Sequence, residues 1–281
     1  MNSRLLLCSD LDRTLLPNGP WPESPEARRH LHTFADHPGS AVAYVSGRHE
    51  ALLREAIATY ELPWPDFAVG DVGTTIYLID GENWTPWAAW HDHIATDWAG
   101  RGHADLRAAL EGLDGLTLQE EEKQNTFKLS FYAPMETDRT TLLEAVEKRL
   151  APLDVRCSLI WSLDEAAGTG LLDILPERAT KRHAVEFLVA HQGFERDRTV
   201  FAGDSGNDLP VFASGLNAVL VRNASDEVQR EAREMAERAG DPERVYVARG
   251  DFLGMNGYYG AGVLEGLAHF HPEVCGWLAS P

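Results

Sequence analysis

Asp10 and Asp12 stand two apart in "CSDLDRT", directly after an apolar run, so in an extended backbone their carboxylates lean to the same side. Such a pair can attack an electrophile, move protons or hold a hard cation. Left uncompensated, it repels itself and is costly to take out of water. Three further stretches carry groups of complementary kinds: Ser46, Gly47 and Arg48 in "VSGR", Lys181 in "ATKRH", and Asp204, Ser205, Gly206, Asn207 and Asp208 in "GDSGND". Each is weak alone. DxDxT also reads as a turn cap, SGR as a strand-to-helix turn, GDSGND as a capping or calcium-like loop, and Lys181 as a solvated surface charge.

Their positions along the chain make them informative together. Leu5, Leu6, Leu7 and Cys8 suit a strand covered on both faces. "SAVAYVSGR" and "TVFAGD" read the same way, and each of these strands ends at one of the polar stretches. Helical patterns alternate with them. Ser24 to Asp36 is one, with Ser24 as its cap and Pro25 in its first turn. "EALLREAIATY" is a second, "ATKRHAVEFLVAHQ" starts near Lys181, and "SDEVQREAREMAERAG" is a charged surface helix. A short helix falls in "NDLPVFASG", a strand in "LNAVLV", and a last helix near Ala261 to Phe270. "FAVGDVGTTIYLI" reads as two short strands broken by glycines. This rhythm predicts an α/β, doubly wound parallel sheet with helices on both faces, in which ligands gather at the carboxyl ends of the strands.

The rhythm changes in the middle of the chain. Asp92 to Leu113 reads as helical, "GLTLQ" and "TFKLSFYA" as strands, and Asp138 to Leu150 as a helix with Asp138 as a cap. "VRCSLIWSL" and "GLLDILP" are two more strands. That order predicts a small α+β domain on an antiparallel sheet, inserted at residues 83–175 into a core made of 1–82 and 176–281.

Composition narrows the partners. The 281 residues are 44% hydrophobic and 9% aromatic, as in an ordinary globular protein. Asp and Glu number 44 against 25 Lys and Arg, a net charge of -19, which argues against a nucleic-acid backbone and an anionic membrane surface as partners. A small anionic ligand stays open where a metal or local cations reverse the field. Cys8, Cys157 and Cys275 form no CxxC and read as inert thiols of a reducing compartment. "MNSRLLLCSDL" reads as neither signal peptide nor membrane span, so a cytoplasmic location is expected.

In these motifs the sequence resembles the haloacid dehalogenase superfamily of phosphohydrolases. "DLDRT" matches its nucleophile motif, "VSGR" its phosphate-binding hydroxyl, Lys181 its motif lysine, and "GDSGNDLPVF" its acidic metal motif. The insertion lies where this superfamily carries a C2-type cap. Across almost the whole chain, through "VGTTIY", "FKLSF", "DILPER", "VRNA" and "AGVLEGLAHF", it is similar to the sucrose-phosphate phosphatase group. Two departures stand out: Arg182 follows Lys181 where the family commonly has Gly, and "DVGTTIY" differs from the usual small-residue–Glu ending. The second leaves the choice of sugar open.

The resemblance implies a phosphatase acting through an aspartyl-phosphate, with Asp10 as nucleophile and Asp12 as the group that moves protons. It implies Mg²⁺ on the Asp10 carboxylate, the Asp12 backbone carbonyl and Asp204, with Asp208 behind them. Three carboxylates and a phosphate sum to about -5, which Mg²⁺ and Lys181 offset in part. Ser46, Lys181, Asn207 and backbone N–H groups near Leu11 and Gly47 are the implied phosphate binders. Arg48, Thr74, Lys128 and Asp173 are the implied substrate contacts.

A cap that closes over the site is where sugar selection is expected. Lys128 and Ser130 alternate with Leu129, so both can share a face while Leu129 packs inward; Gln124, Asp173 and Arg178 complete a hydroxyl-reading set. Trp84, Trp87, Trp90, Trp98 and Trp161 read either as sugar-stacking rings or as packing. His91, His93 and His103 lack a completing carboxylate or thiolate and read as an exposed polar helix. The expected substrate is a small sugar phosphate, sucrose 6-phosphate first. Mannosylfructose-, mannosylglycerate- and glucosylglycerate-phosphates are the alternatives within the class. A sugar phosphomutase and a non-catalytic phosphatase-like module are the alternatives outside it. A monomer is expected, with a sugar-phosphate synthase as the candidate partner.

Overall fold

The computed structural model describes residues 3–164 and 167–279. The chain divides into two compact units, 1–86 with 181–281, and 87–180. In the first, chain order runs β1 (Leu5–Ser9), α1 (Ala27–Ala35), β2 (Ser40–Val45), α2 (Glu50–Thr59), β3 (Phe67–Gly70), β4 (Thr75–Asp80) and β5 (Asn83–Pro86). The second unit holds α3 (Ala88–Ala95), α4 (His103–Leu110), β6 (Thr117–Leu118), β7 (Leu129–Pro134), α5 (Arg139–Leu150), β8 (Cys157–Asp164) and β9 (Thr169–Pro176). The first unit resumes with α6 (Lys181–His191), β10 (Thr199–Gly203), α7 (Leu209–Phe212), β11 (Asn217–Leu220), α8 (Asp226–Ala239), β12 (Val245–Val247), α9 (Gly260–Phe270) and α10 (Glu273–Leu278).

Eight strands form the larger sheet in the order β12-β11-β10-β1-β2-β3-β4-β5. The pairs from β12 to β3 are parallel and the last two antiparallel. Every residue of β1 and of β2 is buried, which is why these strands read as continuous apolar runs. The strand order reverses across β1 and β10, and at such a reversal the loops leave the sheet in opposite directions and open a crevice at the strands' carboxyl ends. Asp10 and Asp204 follow directly on these two strands.

The smaller sheet, β6-β7-β9-β8, is antiparallel. Leu129 and Phe131 of β7 and Leu172 and Ile174 of β9 pack with Leu106, Leu110, Leu142 and Val146 of α4 and α5. Alternation then puts Ser130 and Asp173 on the opposite face, directly across from each other in the ladder.

Several local expectations change. Ser24 does not cap α1; its Oγ accepts the Asn256 backbone N–H, and the helix begins at Ala27 with no side-chain cap. Asp138 does cap α5, accepting from Thr140 and Thr141 N–H. The helical pattern from Asp92 to Leu113 is two helices, interrupted by a left-handed Ala99 and by Gly100 and Gly102. Residues 83–86, assigned by pattern to the insertion, form β5 on the edge of the larger sheet, so the unit boundaries fall at 86/87 and 180/181. Hydrogen bonding to β4 draws that segment out of the insertion.

Candidate active site

The loop after β1 is shaped by Leu11, whose carbonyl accepts from Thr14, Leu15 and Leu16 N–H. That turn swings Asp10 inward and leaves Asp12 half-exposed. Asp10, Asp204 and Asp208 are all buried, and each offers an oxygen within 4.8 Å of the others. Lys181 Nζ, the first residue of α6, donates to Asp10 Oδ1 (2.7 Å) and to Asp208 Oδ1 (2.8 Å). The other oxygen of Asp208 accepts from the N–H groups of Asp204 and Ser205. A Cβ at residue 203 would stand 2.5 Å from Asp208 Oδ2, which gives the glycine of "GDSGND" a steric reason. Thr14 Oγ1 lies 3.5 Å from Asp10 Oδ2 and 3.4 Å from Asp204 Oδ1, placed to donate between them.

Ser46, at the end of β2, is buried, and its Oγ accepts from Arg48 N–H (3.2 Å). Gly47 is exposed, with nothing within 4 Å of where a Cβ would sit. Asn207 is exposed, its Oδ1 accepting from Ser205 Oγ. Arg48, expected to touch substrate, is engaged with Asp12 instead: Nε donates to Oδ2 (2.9 Å) and Nη2 to Oδ1 (2.6 Å). Asn18 Nδ2 also donates to Asp12 Oδ1 (2.7 Å). Burial pushes the Asp12 carboxyl up, but the bonds from Arg48 and Asn18 outweigh it and hold it below the usual carboxylate range. Thr74, expected to touch substrate, is fully buried and donates its hydroxyl to Asp71 O, closing a turn.

In the second unit Ser130 Oγ donates to Asp173 Oδ1 and Lys128 is half-buried beside it in sequence. Two members of the expected hydroxyl-reading set are committed elsewhere. Gln124 Nε2 donates to Gln119 O and Ser130 O while its Oε1 accepts from Ser130 N, which pins the loop before β7. Arg178 Nε and Nη2 donate to Asp97 Oδ1 at 3.0 and 2.7 Å. Asp97 is fully buried and also receives Arg156, so this cluster is an internal tie of the unit. Trp84, Trp90 and Trp98 are buried packing residues. Trp161 lies over Gly170, where a Cβ would be 2.5 Å from its ring. His91 meets Phe127, His93 stacks on Trp90, and His103 faces Gln124.

Sequence reasoning passed over Arg13, whose Nε is 3.4 Å from Asp204 Oδ2. A basic residue between the motif's Asp and Thr is visible in the chain; its partner is not.

The donor set suits a hard divalent cation, being all carboxylate oxygen. Asp204 Oδ2 is buried and accepts no hydrogen bond among the described residues, an otherwise costly state that a cation would relieve. Burial is the largest influence on Asp10 and raises its carboxyl, with Asp208 adding to the rise and Lys181 opposing it. Burial and Asp208 push Asp204 up to about 6, against Arg13 and Lys181. Lys181 is lowered by burial but raised more by Asp208 and Asp10, so it stays charged.

A stability consequence follows from Asp204. Its folded carboxyl binds a proton more tightly than the unfolded one, so folding is favoured at low pH and disfavoured as pH rises from the ordinary aspartate value of 3.8 through about 6. In chelator at pH well above 6, Asp204→Asn is therefore expected to melt higher than wild type, and the gap to close as the pH is lowered below that value. Comparing the two proteins cancels His30, His269 and His271, whose lowered values act in the opposite sense. A gap that is constant, or that widens towards acid, would contradict the assignment.

A parallel sheet whose switch-point strands end in a buried aspartate cluster, crossed by a lysine, defines a haloacid dehalogenase-type hydrolase. The profile of the family described as sucrose-6F-phosphate phosphohydrolase matches residues 3–271. A protein of Nitrosococcus oceani described as a HAD-like hydrolase is 55% identical over 281 residues, 99% of this chain and 75% of its own. The mannosylfructose-phosphate phosphatase of Agrobacterium fabrum is 29% identical over 94% of this chain and 96% of its own. The sucrose-phosphatase of Synechocystis, solved with sucrose and phosphate, is 28% identical with a TM-score of 0.68, over 95% of this chain and 98% of that one. The chain belongs to the sucrose-6F-phosphate phosphohydrolase family, and it is a phosphatase. Among the described residues, no helix is long and apolar enough to cross a membrane.

Proposed function

We propose that the protein hydrolyses a disaccharide phosphate, sucrose 6-phosphate first, in a Mg²⁺-dependent reaction. The observation that carries this reading is the buried set of Asp10, Asp204 and Asp208 crossed by Lys181 at the sheet's switch point. Asp10, Asp204 and Asp208, with the Asp12 carbonyl, are the residues that would hold Mg²⁺. When bound it supplies positive charge against the phosphoryl oxygens and the crowded carboxylates.

Asp10 attacks phosphorus through a carboxylate oxygen; the bond to the sugar oxygen breaks and an aspartyl-phosphate forms on Asp10. Lys181 offsets the negative charge of Asp10 and of the transferred group, and it is charged at every working pH. Ser46, at the end of a fully buried strand, is a rigid donor for a phosphoryl oxygen; exposed Gly47, with nothing within 4 Å of where a Cβ would sit, leaves room for a second oxygen to approach its backbone, and Asn207 is exposed within the acidic loop. Asp12 protonates the leaving sugar oxygen and later takes a proton from the water that attacks the phosphorus, returning Asp10 and releasing phosphate. For this, Asp12 must leave the carboxylate fork of Arg48, whose guanidinium then becomes free for substrate.

Phosphoryl chemistry is generic, so we assign the choice of sugar to the second unit, with Lys128 and Asp173 as hydroxyl contacts. Similarity to the mannosylfructose-phosphate phosphatase favours a second reading, in which a different hexose is joined to fructose. A phosphate-release screen over both disaccharide phosphates, mannosylglycerate- and glucosylglycerate-phosphates, with Mg²⁺ or chelator, tests these. Release from none of them, or full release in chelator, would overturn the proposal.

Lys128→Ala separates sugar recognition from chemistry. Its kcat/KM for the preferred disaccharide phosphate is expected to fall by about 1.5–3 kcal/mol, the usual worth of a hydrogen bond to a charged donor. A small aryl phosphate lacks the sugar and should be little affected. Equal loss on both substrates, or none on either, would remove Lys128 from the sugar site.

A further inference from the structure

Arg13 has no part in the reaction just described, yet it touches the acidic cluster. Its backbone is left-handed, with φ at 60°, a conformation that L side chains adopt only at a cost. Two side chains hold it there: Asn18 Oδ1 accepts from Arg13 N–H (2.8 Å) and Asn223 Nδ2 donates to Arg13 O (2.6 Å). Asn223 is itself fixed, its Oδ1 accepting from Tyr259 N–H. A strained backbone that its surroundings over-determine is informative about what the residue is for. The outcome is that the guanidinium reaches Asp204 Oδ2, the buried oxygen that accepts no hydrogen bond among the described residues.

The two partners differ sharply in setting: the Arg13 side chain is 54% exposed and that of Asp204 only 3%. Arg13 can swing into water at little cost, whereas a buried Asp204 carboxylate left without positive charge is costly. We propose that Arg13 holds Asp204 in the metal-free enzyme and gives it up when a divalent cation binds, so that this arginine sets the cation affinity of the site. Asp204 exchanges one positive partner for another, and the exposed guanidinium repels the incoming ion. The inference rests on the reading of Asp10, Asp204 and Asp208 as the Mg²⁺ site.

The test is Mg²⁺ binding to metal-free protein by calorimetry, together with melting in chelator, for wild type, Arg13→Ala and Arg13→Lys. Alanine removes the charge and keeps the left-handed strain, while lysine keeps the charge. Arg13→Ala is expected to bind Mg²⁺ about three- to ten-fold more tightly, the scale of a water-screened repulsion between a unit charge and a divalent ion. It is also expected to melt lower than wild type in chelator, and Arg13→Lys to stay close to wild type in both. Should Arg13→Ala fail to fold, Arg13→Asn gives the same comparison with a residue that tolerates the left-handed region. Wild type that binds Mg²⁺ no more weakly than the neutral variants overturns the proposal alone. Wild type that binds no Mg²⁺ overturns the cation reading, and this proposal with it.

Discussion

Asp10→Asn is expected to lose turnover, with kcat down by at least about 10⁴-fold, in a protein that still folds. Asparagine fills the same space but has no carboxylate to attack phosphorus. Its side-chain carbonyl can still accept from Lys181, which in any case keeps its bond to Asp208. Burial and two neighbouring carboxylates raise the Asp10 carboxyl, so ionised Asp10 weakens the metal-free fold, and the neutral side chain relieves it. Lost turnover with an unchanged or higher melting temperature in chelator is therefore the signature. Turnover within about ten-fold of wild type would show that another group attacks, and a lowered melting temperature would show that Asp10 is structural.

Lys181→Ala is expected to damage both fold and turnover. The lysine side chain is 11% exposed and lies between Asp10 and Asp208, whose side chains are 7% and 0% exposed. Removing one partner from a buried ionic cluster costs about 3–5 kcal/mol, because the charges left behind go unpaired. The loss should be largest in chelator well above pH 6, and smaller below it, where Asp204, lifted to about 6, and Asp10, raised in the same sense, take up protons. With Mg²⁺ present the fold should recover more than the activity. Loss of a donor to the phosphoryl oxygens still costs about 10²–10³-fold in kcat. Arginine should not restore activity, because a planar fork does not replace a compact ammonium held between two carboxylates. Wild-type stability without metal at high pH would mean that the cluster does not depend on the lysine.

The sequence determined by itself the features that repeat locally. Apolar runs such as Leu5–Cys8 and "TVFAGD" mark strands buried on both faces, and a polar residue ending such a run must lie at a strand's carboxyl end. Asp10, Ser46, Asp204 and Asp208 could be placed at one end of a parallel sheet for that reason, since burial and period depend on neighbours a few residues away. Alternation also put Leu129 inward and Ser130 on the other face, as the ladder with β9 bears out.

Only the tertiary structure decided which partner each charged or polar side chain takes. Lys181 finds Asp10 from 171 residues away, Arg48 finds Asp12 from 36, and Arg178 finds Asp97 from 81. Nothing in the periodicity of one segment encodes such distances, so neither the hold of Arg48 on Asp12 nor the ties that Gln124 and Arg178 make within the second unit could be read from the sequence. The same holds for β5, whose residues join the larger sheet because β4 offers an open edge, and for Ser24, whose hydroxyl serves Asn256 instead of α1. A hydrogen bond is chosen by proximity in the folded chain, and proximity is settled only when the hydrophobic layers have packed.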